Sequence, residues 1–284
     1  MRLIAVRRAV QLLVVAGLCQ LPWLNLAGWR GVNGSFFALD FLGIPFADPV
    51  GAAQVAAMGF LPAGRLLAGA ILSLCIALLL GRVFCSWVCP YGFLSELVYA
   101  LRWRRSGARM VARQAFWGKI LLLVLGLVAA LGAGFPVLGV VSLPGELSLL
   151  PVFAWQGDDA WLLLGAAAVP LAALALEFAT GRRLWCRLVC PQSVLLGLAA
   201  KCLPGAVPGL RIGWQATKCT CKGKAPCQLA CSLDLNPRRK GGPDRQDCTH
   251  CGDCINACAG YGKALEWAAK NATGKKRIFF VDSL

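Results

Sequence analysis

The sequence predicts an all-α membrane domain of four transmembrane helices, followed by a small cysteine-rich α+β domain. Two observations predict it. The 284 residues are 58% hydrophobic, above the roughly 45–50% of soluble domains, and their mean hydropathy is +0.66. The apolar excess also ends abruptly. It fills residues 9 to about 200, and beyond Lys201 the chain turns basic and rich in Cys, Pro and Gly. The boundary divides 1–200 from 201–284. A domain of roughly eighty residues usually needs a metal or a disulfide to stabilise its small core.

The elements follow in order. After the basic start Met1–Arg8, the uncharged run Ala9–Trp29 is long enough, at 1.5 Å per residue, to cross a hydrocarbon core of roughly 30 Å. A signal peptide competes, but the run is long for one and no small-x-small cleavage site stands near Leu21–Leu26, so the helix is read as retained. Residues 30–64 carry the breakers Asn33-Gly34, Pro45, Asp48-Pro49 and Pro62, and read as a loop. Leu66–Gly81 is a second, short span whose flanking Arg65 snorkels to the interface. Arg102–Lys119 is a basic loop, and Ile120–Val141 a third span with Pro136 near its end. Residues 137–159 read as a loop holding Glu146, Asp158 and Asp159. Ala160–Leu176 is the fourth span, with Pro170 inside it.

Charge sets the orientation. Lys and Arg number three before the first span, seven from Arg82 to Lys119, none in 137–159 and seventeen from Arg182 onward. By the positive-inside rule, both termini and the 102–119 loop are cytoplasmic in a bacterial inner membrane. The same rule accounts for the net charge of +16, so nucleic acid is not the expected partner, and lipid is.

Fifteen cysteines fall in clusters that point to thiolate ligands in a reducing compartment, not to disulfides. Cys248-Thr-His-Cys251-Gly-Asp-Cys254-Ile-Asn-Ala-Cys258 has the spacing C-x2-C-x2-C-x3-C of bacterial ferredoxins, whose thiolates hold [4Fe–4S] clusters. A structural zinc knot is the competing reading, but zinc prefers two separated pairs. Upstream stand Cys219, Cys221, Cys227 and Cys231, at less regular intervals. Crossover ligation assigns Cys219, Cys221, Cys227 and Cys258 to cluster I, and Cys248, Cys251, Cys254 and Cys231 to cluster II. For cluster I a [3Fe–4S] centre, a cubane in an unusual loop, or no cluster all stay open. Ser232 and Ala259 stand where Pro ordinarily follows the fourth cysteine. Lys222, Lys224, Arg238, Arg239, Lys240 and Arg245 surround the clusters, which raises a cluster's potential or faces anionic lipid.

The membrane domain contains a repeat. Gly81-Arg82-Val-Phe84-Cys85-Ser-Trp-Val88-Cys89-Pro90 is echoed by Gly181-Arg182-Arg-Leu-Trp185-Cys186-Arg-Leu-Val189-Cys190-Pro191, with one extra residue before the first cysteine. Spacing of this kind puts both thiols of a pair on one helical face, as a redox dithiol, a metal ligand pair or packing. Cys19, Cys75 and Cys202 read as small buried residues. His250, the single histidine, reads as a neighbour of the ligand run, and without a second histidine bis-histidine haem is excluded. No phosphate-binding glycine loop is present.

On these residues the chain resembles the membrane-bound polyferredoxins, of NapH-type quinol dehydrogenase and MauN-type ferredoxin-like kind, and its membrane core is similar to the NosR type. The resemblance rests above all on Gly81–Pro90 and Asp247–Cys254, and the Cys219–Cys231 segment departs from it. It implies an electron-transfer protein that oxidises quinol or relays electrons between the quinone pool and a respiratory system, with another iron–sulfur or cytochrome subunit as partner. Glu96 and Glu177, ionisable groups beside the spans, are candidate proton acceptors. A redox assembly or maturation factor for a periplasmic enzyme is the alternative function, and a structural zinc protein a third.

Overall fold

The computed structural model describes residues 2–28, 31–36, 38–101, 112–156, 160–202, 209–221, 225–270 and 276–278. Asp158, Asp159, Lys222 and Lys224 lie outside them. Among the described residues, three helices are long and apolar enough to cross a membrane. They are Leu3–Leu24 within α1 (Arg2–Leu26), Phe116–Ala133 within α6 (Ala112–Ala133), and α9 (Ala160–Thr180). A fourth apolar helix, α3 (Gly64–Leu80), has 17 residues, about 25 Å of helix.

The two segments expected to be loops are folded and pack among these helices. Residues 32–47 form an antiparallel sheet of β1 (Val32–Ser35), β2 (Ala38–Phe41) and β3 (Ile44–Ala47). Ala47 lies against Gly69, and its carbonyl accepts from Ser73 Oγ at 2.9 Å, near the middle of α3. There α2 (Pro49–Ala57) begins. Asp48 accepts from the Val50 and Gly51 N–H groups at 3.0 and 3.3 Å, and Pro49 occupies the first turn, where its missing N–H costs nothing. In the second half, α6 ends at Ala133 and the short α7 (Val137–Val141) turns back, so that Leu138 packs on Gly126. Leu143 then starts α8 (Leu143–Gln156), fully buried beside Cys89 and Cys186.

The two folded-back segments exchange partners. In the first half α2 packs on α6 and on α10 (Gln192–Lys201), whereas α8 packs on α1 and on α5 (Pro90–Leu101). Gln54 Oε1 accepts from the Leu138 N–H at 2.8 Å, tying one connector to the other. The sequence repeat is thus a structural repeat with swapped connectors. The breakers Asp48-Pro49 and Pro136 do not keep the chain extended. They open helices.

The C-x3-C-P segments are not continuous helix. Cys85 lies in the single turn α4 (Phe84–Trp87), and Cys89 precedes α5. Cys186 lies in a π-turn, Trp185–Val189, and Cys190 ends it. The expected shared helical face is replaced by two bends, because each proline starts a new helix. Gly81 ends α3 at φ +74°, and a Cβ there would meet the His250 ring at 2.5 Å. That glycine lets the C-terminal domain seat on the helix end.

The C-terminal region forms the antiparallel sheet of β4 (Leu210–Trp214), β5 (Leu265–Lys270) and β6 (Lys276–Ile278), with short helices α11 (Pro226–Leu229) and α12 (Asp253–Cys258). Its core mixes Ile212, Ala225, Ala264 and Leu265 with cysteines. Cys19, Cys75 and Cys202, expected inside, are exposed. Cys19 and Cys75 lie on α1 and α3, whose apolar surface turns outward as lipid permits, and Cys202 caps the C-terminal end of α10.

Candidate metal centres

Twelve cysteines gather into three sets. The first joins both halves of the repeat. Cys89 and Cys186 are buried in one cluster with Tyr91, Leu143 and Leu233, and Cys85 and Cys190 lie close enough to act on their charge. Burial pushes the Cys186 thiol up to about 11 and the Cys190 thiol up to about 12, and holds Cys89 well above the ordinary range. The Gly92 N–H donates to Cys89 Sγ at 3.3 Å. A Cβ on Gly92 would meet the Cys85 carbonyl at 2.3 Å, so α5 approaches this set only through glycine.

The second set is Cys231, Cys248, Cys251 and Cys254, which line one small cavity with Ile212, Leu233 and Leu235. The His250 N–H donates to Cys248 Sγ at 3.4 Å and the Leu235 N–H to Cys231 Sγ at 3.3 Å. Burial pushes the Cys248 thiol up to about 12. The third set, Cys219, Cys221, Cys227 and Cys258, is drawn together at the domain's outer side. The Cys221 N–H, helped by Arg238, lowers the pKa of Cys219. The sets stand in series. Cys227 and Cys258 share a core with Cys248 and Cys254, and Cys231 packs against the core of Cys89 and Cys186. His250 stacks on Trp267, with ring centroids 6.1 Å apart, beside its ligand run.

Cations converge on the first set. Arg82 stands three residues before Cys85, and Arg183 three before Cys186, so the true counterpart of Arg82 is Arg183, not Arg182. Both are buried. Arg183 donates to Ser95 Oγ at 3.0 Å, the Gly92 carbonyl at 3.2 Å and Glu96 Oε1 at 3.4 Å, and it reaches Cys186 Sγ at 3.7 Å. Burial opposes the Arg183 charge, yet Cys186, Glu96 and Glu177 outweigh it and raise its pKa. Glu96 also meets Arg7 at 3.4 Å and Arg8 at 3.2 Å. Glu177 accepts from Ser95 Oγ and, at 2.9 Å, from the Trp185 N–H. The two carboxylates therefore flank Arg183.

Arg82 tests what the first set holds. Its side chain donates to the Gln246 and Asp247 carbonyls, both at 3.3 Å, while its buried Nε has no hydrogen-bond partner. Its charge is raised through Cys85, Asp247, Cys190 and Cys186 against the cost of burial. A buried guanidinium with an open donor beside four thiols fits an anionic guest, as a thiolate-ligated iron–sulfur cluster is. The N–H groups aimed at sulfur fit it too. Among the described residues, no three or more His, Cys, Asp or Glu side chains stand close enough together to hold a single metal ion.

The model of a family described as a 4Fe-4S binding domain matches residues 62–109 and 160–210. Each matched segment holds one C-x3-C-P motif, and the run Cys248–Cys258 lies outside both. The ferredoxin-type protein NapH of Haemophilus influenzae is 28% identical over 89% of this chain and 85% of its own. The chain is related to the ferredoxin-type proteins. NapH of Escherichia coli is also 28% identical, over 91% of this chain and 87% of its own. The methylamine utilization ferredoxin-type protein MauN of Methylorubrum extorquens is 26% identical over 89% and 74%. No solved structure matches. The residues to which spacing assigned no role at the site are Arg82, Arg183 and Arg7. The usable signal was an arginine three positions before the first cysteine of each motif.

Proposed function

We propose that the chain is a multi-pass inner-membrane electron-transfer protein that exchanges electrons with the quinone pool and carries three iron–sulfur centres, one more than spacing alone assigns. The observation that carries the reading is the meeting of Cys85, Cys89, Cys186 and Cys190 in one buried site beside Glu177 and Arg183. Iron–sulfur groups bound by the three sets would supply one-electron transfer. The protein's own residues do the rest. Arg82 and Arg183 offset negative charge at the membrane set. Leu233 and Ser232 join that set to the Cys231 set. Glu177 and Glu96 stand ready to take protons that quinol releases, with Arg183 between them.

The test combines composition with turnover. Iron and acid-labile sulfide in the purified full-length chain should reach about twelve atoms each, as three cubanes require. Reduction of the clusters by menaquinol or ubiquinol should follow in proteoliposomes, read by electron paramagnetic resonance. Stoichiometric zinc with no cluster signal overturns the redox reading. Loaded clusters that neither quinol reduces overturn the link to the quinone pool.

A further inference from the structure

The three thiol sets differ in exposure, and the difference selects one of them as the place of exchange with another protein. The membrane set is enclosed by α5, α8 and the π-turn, and the Cys231 set by β4 and the Cys248–Cys254 loop. The third set lies nearest the surface: Cys219 and Cys221 are partly exposed, with exposed Thr220 between them and little packed around them, whereas Cys231 and Cys251, also partly exposed, lie deep among other side chains. Exposed Leu229 (48%) and Tyr261 (47%) provide apolar surface on the segments that adjoin this set. The Tyr261–Lys263 turn touches the cysteine loop directly, since a Cβ on Gly262 would meet the Lys218 carbonyl.

The charge of this face has one sign. Arg238 lies over the Trp214 ring at 5.9 Å and acts on the Cys219, Cys221 and Cys227 thiols. Arg239, Lys240 and Lys263 are exposed. The carboxylates are taken up locally, Glu266 by Lys218 at 3.1 Å and Asp244 by Arg239 at 4.0 Å. That leaves Arg238, Lys240 and Lys263 without an ion pair among the described residues. These contacts close within the C-terminal domain, whereas the contacts that seat the domain on the helices run through Arg7, Arg82 and Arg245 on other residues. A face turned away from the helices, with a small apolar centre and a cationic rim, suits a transient complex with a complementary protein.

We infer that the face around Cys219, Cys221, Leu229, Tyr261 and Arg238 is the docking surface for an acidic redox protein. The inference rests on the reading of the Cys219 set as an iron–sulfur site, and it adds the partner's charge and the place it binds.

The experiment holds the probe's fold constant and changes only its charge. Full-length protein in zwitterionic nanodiscs is immobilised, and binding of native cytochrome c, which is basic, is compared with that of its succinylated, acidic form. The acidic form should bind at low salt and weaken by about tenfold as ionic strength rises to roughly 0.5 M, while the native form stays unbound. Arg238→Glu should abolish binding. Lys240→Glu and Lys263→Glu, on exposed positions, keep the test sound if Arg238→Glu misfolds. Carbodiimide cross-links should map to Lys240 and Lys263. Equal binding of both forms, cross-links confined to other lysines, or full competition by phosphatidylglycerol vesicles would each overturn the inference, the last by making the face a lipid contact. Iron analysis separates the two readings: an empty Cys219 set defeats the iron–sulfur assignment, and cluster-loaded protein indifferent to probe charge defeats the docking surface.

Discussion

Arg183 donates to Ser232 Oγ at 3.3 Å. The donor precedes a membrane-domain thiol by three residues, and the acceptor follows a ligand-run thiol by one. Ser232 stands where bacterial ferredoxin motifs ordinarily carry proline. Proline there would leave this arginine donor without its acceptor, so the departure from the motif marks the junction between the two thiol sets. Arg183→Met should remove one of the two buried arginines from the membrane set, leaving Arg82, and leave Glu177 facing only hydrogen-bond donors. Breaking such a buried pair costs about 3–5 kcal/mol, and Glu96 keeps Arg7 and Arg8, which places the loss at the low end. The measurement is iron content with thermal stability. The variant should lose iron from the membrane set first, and full iron with unchanged melting would contradict the role.

Single thiols test the sets directly. Cys89→Ser and Cys190→Ser should each lower iron by about four atoms of twelve and leave the signals of the two C-terminal sets intact. Cys231→Ser should damage the set of Cys248, Cys251 and Cys254, whereas Cys258→Ser should damage that of Cys219, Cys221 and Cys227. If Cys258→Ser instead removes the signal that Cys231→Ser removes, the crossover pairing is wrong.

These assignments were unequally legible in the sequence. The run Cys248–Cys258 could be read directly, because its ligands lie within one short loop and spacing is itself the geometry. The meeting of Cys85 with Cys186 could not, since 101 residues separate them and nothing local records a tertiary contact. Pairing Gly-Arg with Gly-Arg put Arg182 in the place that Arg183 occupies, because the extra residue falls between the arginine and the cysteine. Asp48-Pro49 reads as a loop breaker and Pro136 as an interruption near the end of a span, yet the same chemistry opens a helix when the segment folds back. Cys19 and Cys75 are exposed because burial statistics describe proteins in water, where apolar faces turn inward, and Cys202 because it stands at the end of α10. Glu96 and Glu177 were legible as ionisable groups beside apolar spans, but the arginines that meet Glu96, Arg7 and Arg8 on α1 and Arg183 after α9, lie far from it in the sequence.

The metal-free protein should weaken at alkaline pH. Burial holds Cys186 near 11 and Cys190 near 12 against an ordinary thiol value of 9.0. The folded state therefore keeps its protons where the unfolded chain has lost them. Stability is fully present below pH 9 and falls as pH rises towards 11–12. Thermal melts of the metal-free chain across that range should decline, and the decline should be smaller in Cys186→Ser/Cys190→Ser. Parallel declines in both proteins would show that other groups set the alkaline limit. Bound iron requires thiolates, so its binding should release protons over the same sites.

Arg245 fastens the C-terminal domain to the end of α3. It donates to the Leu78 and Leu79 carbonyls, both at 2.7 Å, to Ala200 O at 2.9 Å and to Leu210 O at 3.2 Å. The first two are carbonyls of the last helical turn, which lack helical partners and favour a cation. Arg245→Ala should cost about 2–3 kcal/mol, since hydrogen bonds to a charged group are worth about 1.5–3 and water reaches part of the site. Limited proteolysis should release the C-terminal domain faster, with Arg245→Lys intermediate. Unchanged cleavage would place the attachment in the Arg7 and Arg82 contacts instead.

Glu177 offers the sharpest test of the proton role. The Trp185 N–H bonds it at 2.9 Å, one residue before Cys186, and Ser95 joins it to Arg183. Glu177→Gln keeps the shape and one acceptor oxygen but cannot take a proton as a carboxylate does. Folding and iron content should stay near those of the parent. Quinol-driven cluster reduction should slow by about a hundredfold, the lower range for loss of a positioned acid–base group, while reduction by dithionite, which needs no proton acceptor, should be unaffected. Glu177→Asp should recover part of the rate, because it restores the carboxylate one carbon short of its donors. Equal slowing with quinol and dithionite would show that Glu177 only braces the Trp185–Val189 turn, and an unchanged quinol rate would move the proton acceptor to Glu96.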